Sequence, residues 1–311
     1  MVSLLWDNWI IVAFIAPVVW ATSCIIDVCF VSENIYRRPM DGTIISGLVS
    51  VIPCVYFLIN IDSWAGISLT DAIPAVVAGV VYFLHSYYYF RALFCINDAS
   101  GAETFISMSV LVVPVFAFLF LGERLDTIYY VAAIAALIGI VILIACHFKS
   151  INRRAIWNLS FAVVYISLCM VVQAWVFKKM DFQHGITLFC AGSFGTALLV
   201  CLFKPSQGKR IAGICRRYGP ILIFAELIGI LAVLMSHRAT SISPSVTLVA
   251  IVECSLPVFI ILLSLAVRTI PKRWYSISTD THEALALQVS SLPAKLVSLS
   301  LISFAIVLVQ H

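Results

Sequence analysis

Charge is what this sequence has least of. Its 19 Lys or Arg and 15 Asp or Glu amount to 11% of 311 residues, against 62% hydrophobic residues. Mean hydropathy is +1.08. So few charges cannot cover the surface of a water-soluble domain of this length, which excludes that class. Catalytic signatures are missing as well: there is no HExxH, no GxSxG and no phosphate-cradling GxxxxGK motif, so the chain does not hydrolyse ATP by itself. No two cysteines form a CxxC pair, and the ten are scattered almost entirely through apolar runs, which reads them as small packing residues. Nothing basic precedes the first apolar run, and Asp7 lies there instead. That run therefore reads as a retained helix and not as a cleavable signal.

What is present is a series of apolar runs of about 20 residues, the length that crosses about 30 Å of hydrocarbon. Ten candidate spans fall near 9–31, 43–60, 72–90, 102–121, 128–147, 156–177, 184–203, 219–237, 242–267 and 293–310, with short connections between most of them. Of the 19 Lys and Arg, only Arg124, Lys178, Lys179 and Arg238 fall after even-numbered spans. The others, among them Arg37, Arg38, Arg153, Arg154, Lys209 and Arg210, fall after odd-numbered ones. The positive-inside rule then places the odd loops in the cytoplasm and both termini outside. The net charge of +4 sits in loops, where it suits lipid headgroups better than nucleic acid.

An internal repeat divides the chain. ASGAETFISMSVLVVPVFAFLFL (99–121) overlays ISPSVTLVAIVECSLPVFIILLS (242–264) without a gap, matching Ser100 to Ser243 and Pro114 to Pro257 within a shared PVF. Prolines inside apolar helices each remove a hydrogen bond, so a matched pair means more than shared Leu and Val. The expected fold is an all-α integral membrane protein with two five-helix repeats, 1–150 and 151–311, the second with a longer linker at 268–292. An odd number of helices per repeat makes them inverted.

The run PVFAFLFLGERL, followed by YYVAAIAALIGIVILIA, resembles the drug/metabolite transporter superfamily and within it the ten-helix EamA-type carriers. Trp20 in mid-span, Arg91-Ala92 after the third span, and DASGA and SISPS before the fourth and ninth are further matches. The first span reads WATS where the family has WGS, and LSLAVRTIPKRW replaces a second LLGERL. The resemblance implies a bacterial inner-membrane carrier of amino acids or related metabolites, usually an exporter. Its termini are drawn in the cytoplasm, opposite to the charge count. In the motif itself, Gly122 ends a helix without a Cβ penalty, and Glu123 and Arg124 hold that end at the headgroups.

Ionisable groups inside spans mark cavities or pairs, since a charge at the bilayer centre costs about 3 kcal/mol or more. Here they are Asp27, His85, Glu103, Glu226, His237 and Glu253. Trp20, Cys24 and Asp27 share one helical face, as do Tyr82, His85 and Tyr89, and Glu226 and His237. Aromatic faces and phenols suit an aromatic or amphipathic solute, and carboxylates a cationic group or a proton. Glu103 could instead be an acid favoured at a helix N-terminus. Pro17, Pro53, Pro114 and Pro257 are candidate kinks.

These residues point to a secondary transporter working by alternating access. Its expected partners are a small organic solute, membrane lipid and protons, with a homodimer as a candidate assembly and no metal or other cofactor. Glu253 and Glu226, deepest by count, could exchange a proton during transport. A membrane-embedded enzyme is the alternative of another class, and a channel or sensor scaffold a third. Counterflow separates carrier from channel, and group transfer by the purified protein would reveal an enzyme.

Overall fold

The computed structural model describes residues 6–147, 152–269 and 292–309. Among these residues the chain is entirely helical: α1 (Trp9–Ser32), α2 (Pro39–Val49), α3 (Val51–Ile59), α4 (Leu69–Ile96), α5 (Ala99–Ile106), α6 (Ser109–Leu121), α7 (Thr127–His147), α8 (Arg153–Phe177), α9 (Phe182–Phe203), α10 (Pro205–Ile242), α11 (Val246–Glu253), α12 (Leu256–Thr269) and α13 (Leu292–Val309). Nine segments of the described residues are long and apolar enough to cross a membrane, with α2–α3, α5–α6 and α11–α12 each forming one of them. The protein is a multi-pass integral membrane protein. Phe118, Phe120, Ile134, Phe203 and Phe224 are exposed on the outside of the bundle, where hydrocarbon and not water is the fitting solvent. All but the two ends of the linker 268–292 lies outside the described residues.

Three spans are kinked, and proline explains two of the kinks. A proline ring clashes with the carbonyl four residues earlier. For Pro53 that residue is Val49, where α2 ends, and for Pro257 it is Glu253, where α11 ends. Pro257 itself is the second residue of α12, where a missing N–H leaves no bond unmade. The third kink, at Ser107 and Met108, precedes Pro114 by more than a turn, so Pro114 sits inside α6. Pro17 sits inside α1, which runs unbroken past it.

All three kinks keep right-handed backbone with a flattened ψ: Ser50 (φ −58, ψ −13), Ser107 (φ −60, ψ −13) and Cys254 (φ −59, ψ −11). Each of these residues donates its side-chain hydrogen to the carbonyl four residues back: Ser50 Oγ to Ser46 at 3.1 Å, Ser107 Oγ to Glu103 at 2.8 Å and Cys254 Sγ to Ala250 at 3.2 Å. Such back-bonding bends helices and satisfies part of what the bend frees.

The caps follow the sequence. Asp98 Oδ1 accepts from the Gly101 N–H at 3.1 Å and the Ser100 hydroxyl at 2.9 Å to start α5, and Ser245 Oγ accepts from the Thr247 N–H at 3.1 Å to start α11. The fourth and ninth spans thus open alike, each with an eight-residue half-helix before its kink. This likeness pairs Asp98 with Ser245, one helical turn away from the register that overlays the two PVF motifs.

The two halves interlock. α1 packs on α10, α4 on both α8 and α9, and α7 on α13, so each of these contacts joins an element before residue 150 to one after it. Small residues set the spacing. A Cβ on Gly79 of α4 would overlap the Phe189 carbonyl, and one on Gly192 of α9 the Val76 carbonyl, so these backbones touch directly. Ser298 of α13 donates to the Gly139 carbonyl of α7 at 2.6 Å. α10 is one helix of 38 residues, about 57 Å at 1.5 Å per residue. The basic stretch around Lys209 to Arg217, which the sequence places in a loop, is therefore helical and extends the eighth span beyond the hydrocarbon.

Candidate functional site

Helices from both halves of the chain converge on two adjoining cavities in the middle of the bundle. The first is lined by Trp20 and Asp27 of α1, Tyr82, His85 and Tyr89 of α4, Glu103 of α5 and Glu226 of α10, with Phe189 of α9 closing one side. The second holds Glu253 of α11 together with Pro17 and Ser107, and shares Trp20, His85 and Glu103 with the first. The helical-face arguments for α1 and α4 therefore place their side chains correctly, and four acids from four helices meet aromatic rings around one polar centre. The space open to water is small, about 50 Å³ in the first cavity and about 40 Å³ in the second, room for a few solvent molecules each.

The acids differ in what holds them. Glu226 is buried and its Oε1 accepts from the Tyr36 hydroxyl at 2.9 Å. Glu103 Oε1 accepts from the Cys24 thiol at 3.5 Å. Glu253 is half-buried, and its Oε1 has no hydrogen-bond partner among the described residues. Asp27 lines the first cavity and, unlike Glu103 and Glu226, makes no hydrogen bond to any described residue, which leaves its carboxylate available to a guest. His85 is fixed by its Nδ1 against the Ala162 carbonyl at 3.0 Å, so Nε2 is the nitrogen free to face the cavity. The Tyr89 hydroxyl is buried without a partner among the described residues and can serve a guest.

Two site expectations change. His237 lines neither cavity. It packs on Phe189 with ring centroids 4.6 Å apart and on Phe177 at 6.2 Å, with Nε2 unpartnered among the described residues. Eleven residues bring it back to the face of Glu226 but three turns further along α10, past the end of the cavity. Glu103 is not merely an acid at a helix start. Asp98 caps that helix, and Glu103 is 5% exposed and turned into both cavities.

Glu123 also does something other than meet headgroups. Gly122 ends α6 with φ +67, as its lack of a Cβ allows. The turn sends Glu123 across to α11, where its carboxylate accepts from the Ser245 hydroxyl at 2.8 Å, the Val246 N–H at 3.3 Å and the Thr247 hydroxyl at 3.4 Å. The glutamate thus caps the positive end of a half-helix belonging to the other half of the chain. Glu123→Ala should cost about 1 kcal/mol of cap energy and lower the melting temperature by about 2 to 4 °C, with Glu123→Gln losing less, as a thermal melt of the purified protein would register.

Several lining or supporting residues are invisible in the sequence pattern. Tyr36 lies beyond the first span next to Arg37 and Arg38, yet it is fully buried because the chain folds back under Phe30 and Phe90. Ser23, Ser46 and Ser86 line the first cavity. Hydroxyls within apolar runs are the signal that could have marked them. Cys24, read as a packing residue, spends its thiol on Glu103.

No family model and no curated protein sequence matches the chain. A solved structure described as "Crystal structure of protein" superposes on 95% of this chain and 96% of its own with a TM-score of 0.56, at 16% sequence identity. A likeness of that size shows a shared fold.

Proposed function

We propose that the protein is a secondary transporter of the drug/metabolite superfamily, moving a small cationic or zwitterionic organic solute by alternating access. One observation carries this: Asp27, Glu103 and Glu226 from three helices surround a single enclosed space with Trp20, Tyr82, His85 and Tyr89 and no basic side chain but the imidazole. Intramembrane acids without basic partners suit a cationic guest or a proton, and the phenols and indole give it a stacking wall.

In this reading α13 is the tenth span, and the chain is two inverted five-helix repeats in a bacterial inner membrane. Support for the repeat comes from the matched capped half-helices α5 and α11, with their kinks at Ser107 and Cys254. The cavity lies between elements of both repeats, as in transporters built this way. The direct test is a thermal-stability screen against amino acids, polyamines, nucleosides and aromatic amines. A ligand at a hundred times its dissociation constant stabilises by about 2.7 kcal/mol. One class should stabilise the wild type and lose its effect in Asp27→Asn. Failure of every class in both lipid and detergent would count against a solute site.

The second cavity suggests a division of labour. Glu253 is partitioned from Asp27 and Glu226 by the shared wall of Trp20, His85 and Glu103, and is the candidate proton carrier. In proteoliposomes, Glu253→Gln should abolish the response to an imposed pH gradient while sparing solute counterflow. A wild-type rate indifferent to the gradient would remove proton coupling altogether.

A further inference from the structure

A second polar site lies at the basic end of the bundle, away from the central cavities. Arg38, Arg91, Arg154 and Lys204 line one cleft of about 370 Å³ together with Tyr87 and Gln207. No carboxylate lines it. Asp41, in the first turn of α2, is fully buried and already committed: it accepts from Arg210 Nε at 2.8 Å, meets Arg210 Nη2 at 2.7 Å, and takes the backbone N–H groups of Arg37 and Arg38 at 3.1 and 2.9 Å. The four lining cations thus share one space, and none of them has an ion pair among the described residues. Like charges gathered around one space repel unless an anion enters.

Two further features fit an anion. Gln207 is only 9% exposed, and its Nε2 is buried without a hydrogen-bond partner among the described residues, a donor left waiting at the cleft wall. Arg91 is held over the rings of Tyr87 and Tyr88, at 5.4 and 5.9 Å, so its guanidinium is placed in advance. The cleft also gathers helix N-termini: Arg38 immediately precedes α2, Arg154 is the second residue of α8, and Lys204 precedes α10. Positive helix ends add to the cations.

We infer that this cleft binds a phosphate group, with Arg91 and Arg154 as its forked donors and Gln207 as a neutral one. Four cations without an acid favour a multiply charged anion over a single carboxylate, and guanidinium forks match phosphate oxygens in pairs. The group could arrive on a soluble phosphate or on an anionic phospholipid, since the cleft is lined where α2, α8 and α10 begin, at the ends of spans. The inference does not depend on the transport reading.

Two arms test it with the full-length protein in nanodiscs. In phosphatidylcholine discs, calorimetric titration with pyrophosphate measures a soluble ligand. In discs doped with phosphatidic acid, native mass spectrometry measures retained lipid. The variants are Arg91→Gln with Arg154→Gln, Gln207→Leu alone, and Lys178→Gln with Lys179→Gln at the far end of α8 as an equal-charge control. The paired arginine variant should weaken one ligand at least tenfold and Gln207→Leu severalfold, with the control within twofold. Pyrophosphate binding of this pattern identifies a soluble ligand, and a response confined to phosphatidic acid identifies a lipid site. Equal binding by wild type and the paired variant in both arms, or an equal loss in the control, would overturn the site. Arg154, Lys178 and Lys179 are exposed and Arg91 is half-buried, so retained melting behaviour in each variant makes a loss of binding readable.

Discussion

Gly192→Leu is expected to leave less than a tenth of the wild-type yield of monodisperse protein, measured by size-exclusion of a fluorescent fusion. A Cβ at this position would overlap the Val76 carbonyl and sit 3.1 Å from the Val76 Cα, so backbone stands in the way and no rotamer relieves it. The Gly79 position is as tight against Phe189 on the same crossing, so α4 and α9 would have to separate. Overpacking in yielding cores costs about 1 to 3 kcal/mol, and an unyielding backbone contact costs more. Against a total stability of about 5 to 15 kcal/mol this is decisive. Gly195, less than one turn along α9, has nothing within 4 Å of its would-be Cβ. Gly195→Leu should therefore express like the wild type, and equal loss in both variants would sink the close-packing account.

Asp27→Asn is expected to lower transport or binding of the proposed solute by more than 100-fold. No hydrogen bond to a described residue holds its carboxylate, in contrast to Glu103 and Glu226, so a cationic guest would be its main partner. Losing one member of a buried charge pair costs about 3 to 5 kcal/mol, and 1.4 kcal/mol is tenfold. Asp27→Glu should keep part of the activity by restoring the charge one methylene out of place. Glu226→Gln should have a smaller binding effect and a larger stability effect, because the Tyr36 hydroxyl already engages that carboxylate. If Asp27→Asn binds every solute as well as the wild type, the cationic-guest reading fails.

Much of this arrangement can be read from residue order alone, and the reasons for the remainder are physical. Span positions follow from runs of apolar residues, because hydrocarbon thickness sets a length that the chain must meet. The faces carrying Trp20 and Asp27, and Tyr82, His85 and Tyr89, follow from helical spacing within a single unbroken helix. What spacing does not carry is depth. His237 shares a face with Glu226 but lies three turns away, and only the packing of Phe189 and Phe177 shows that it misses the cavity. Kinks are legible where proline removes a carbonyl's partner, as before Pro53 and Pro257. They are hidden where a serine bends the helix by back-bonding, as at Ser107. Contacts between distant segments were the least legible: nothing near Glu123 or Tyr36 announces that one reaches Ser245 and the other Glu226.

Two of the connections between spans leave the chain almost no slack. A single residue, Lys204, separates α9 from α10, and only Asn97 and Asp98 separate α4 from α5. Rods tethered this closely swing little on their loops, and the joints of Ser50, Ser107 and Cys254 are places within the spans where relative displacement can be absorbed. Each joint is latched by a side-chain hydrogen bond to the preceding turn, beside a cavity with room for only a few waters to compete for it. Its stiffness is then a property of a hydroxyl or thiol, open to tuning by a single substitution at the wall of a cavity.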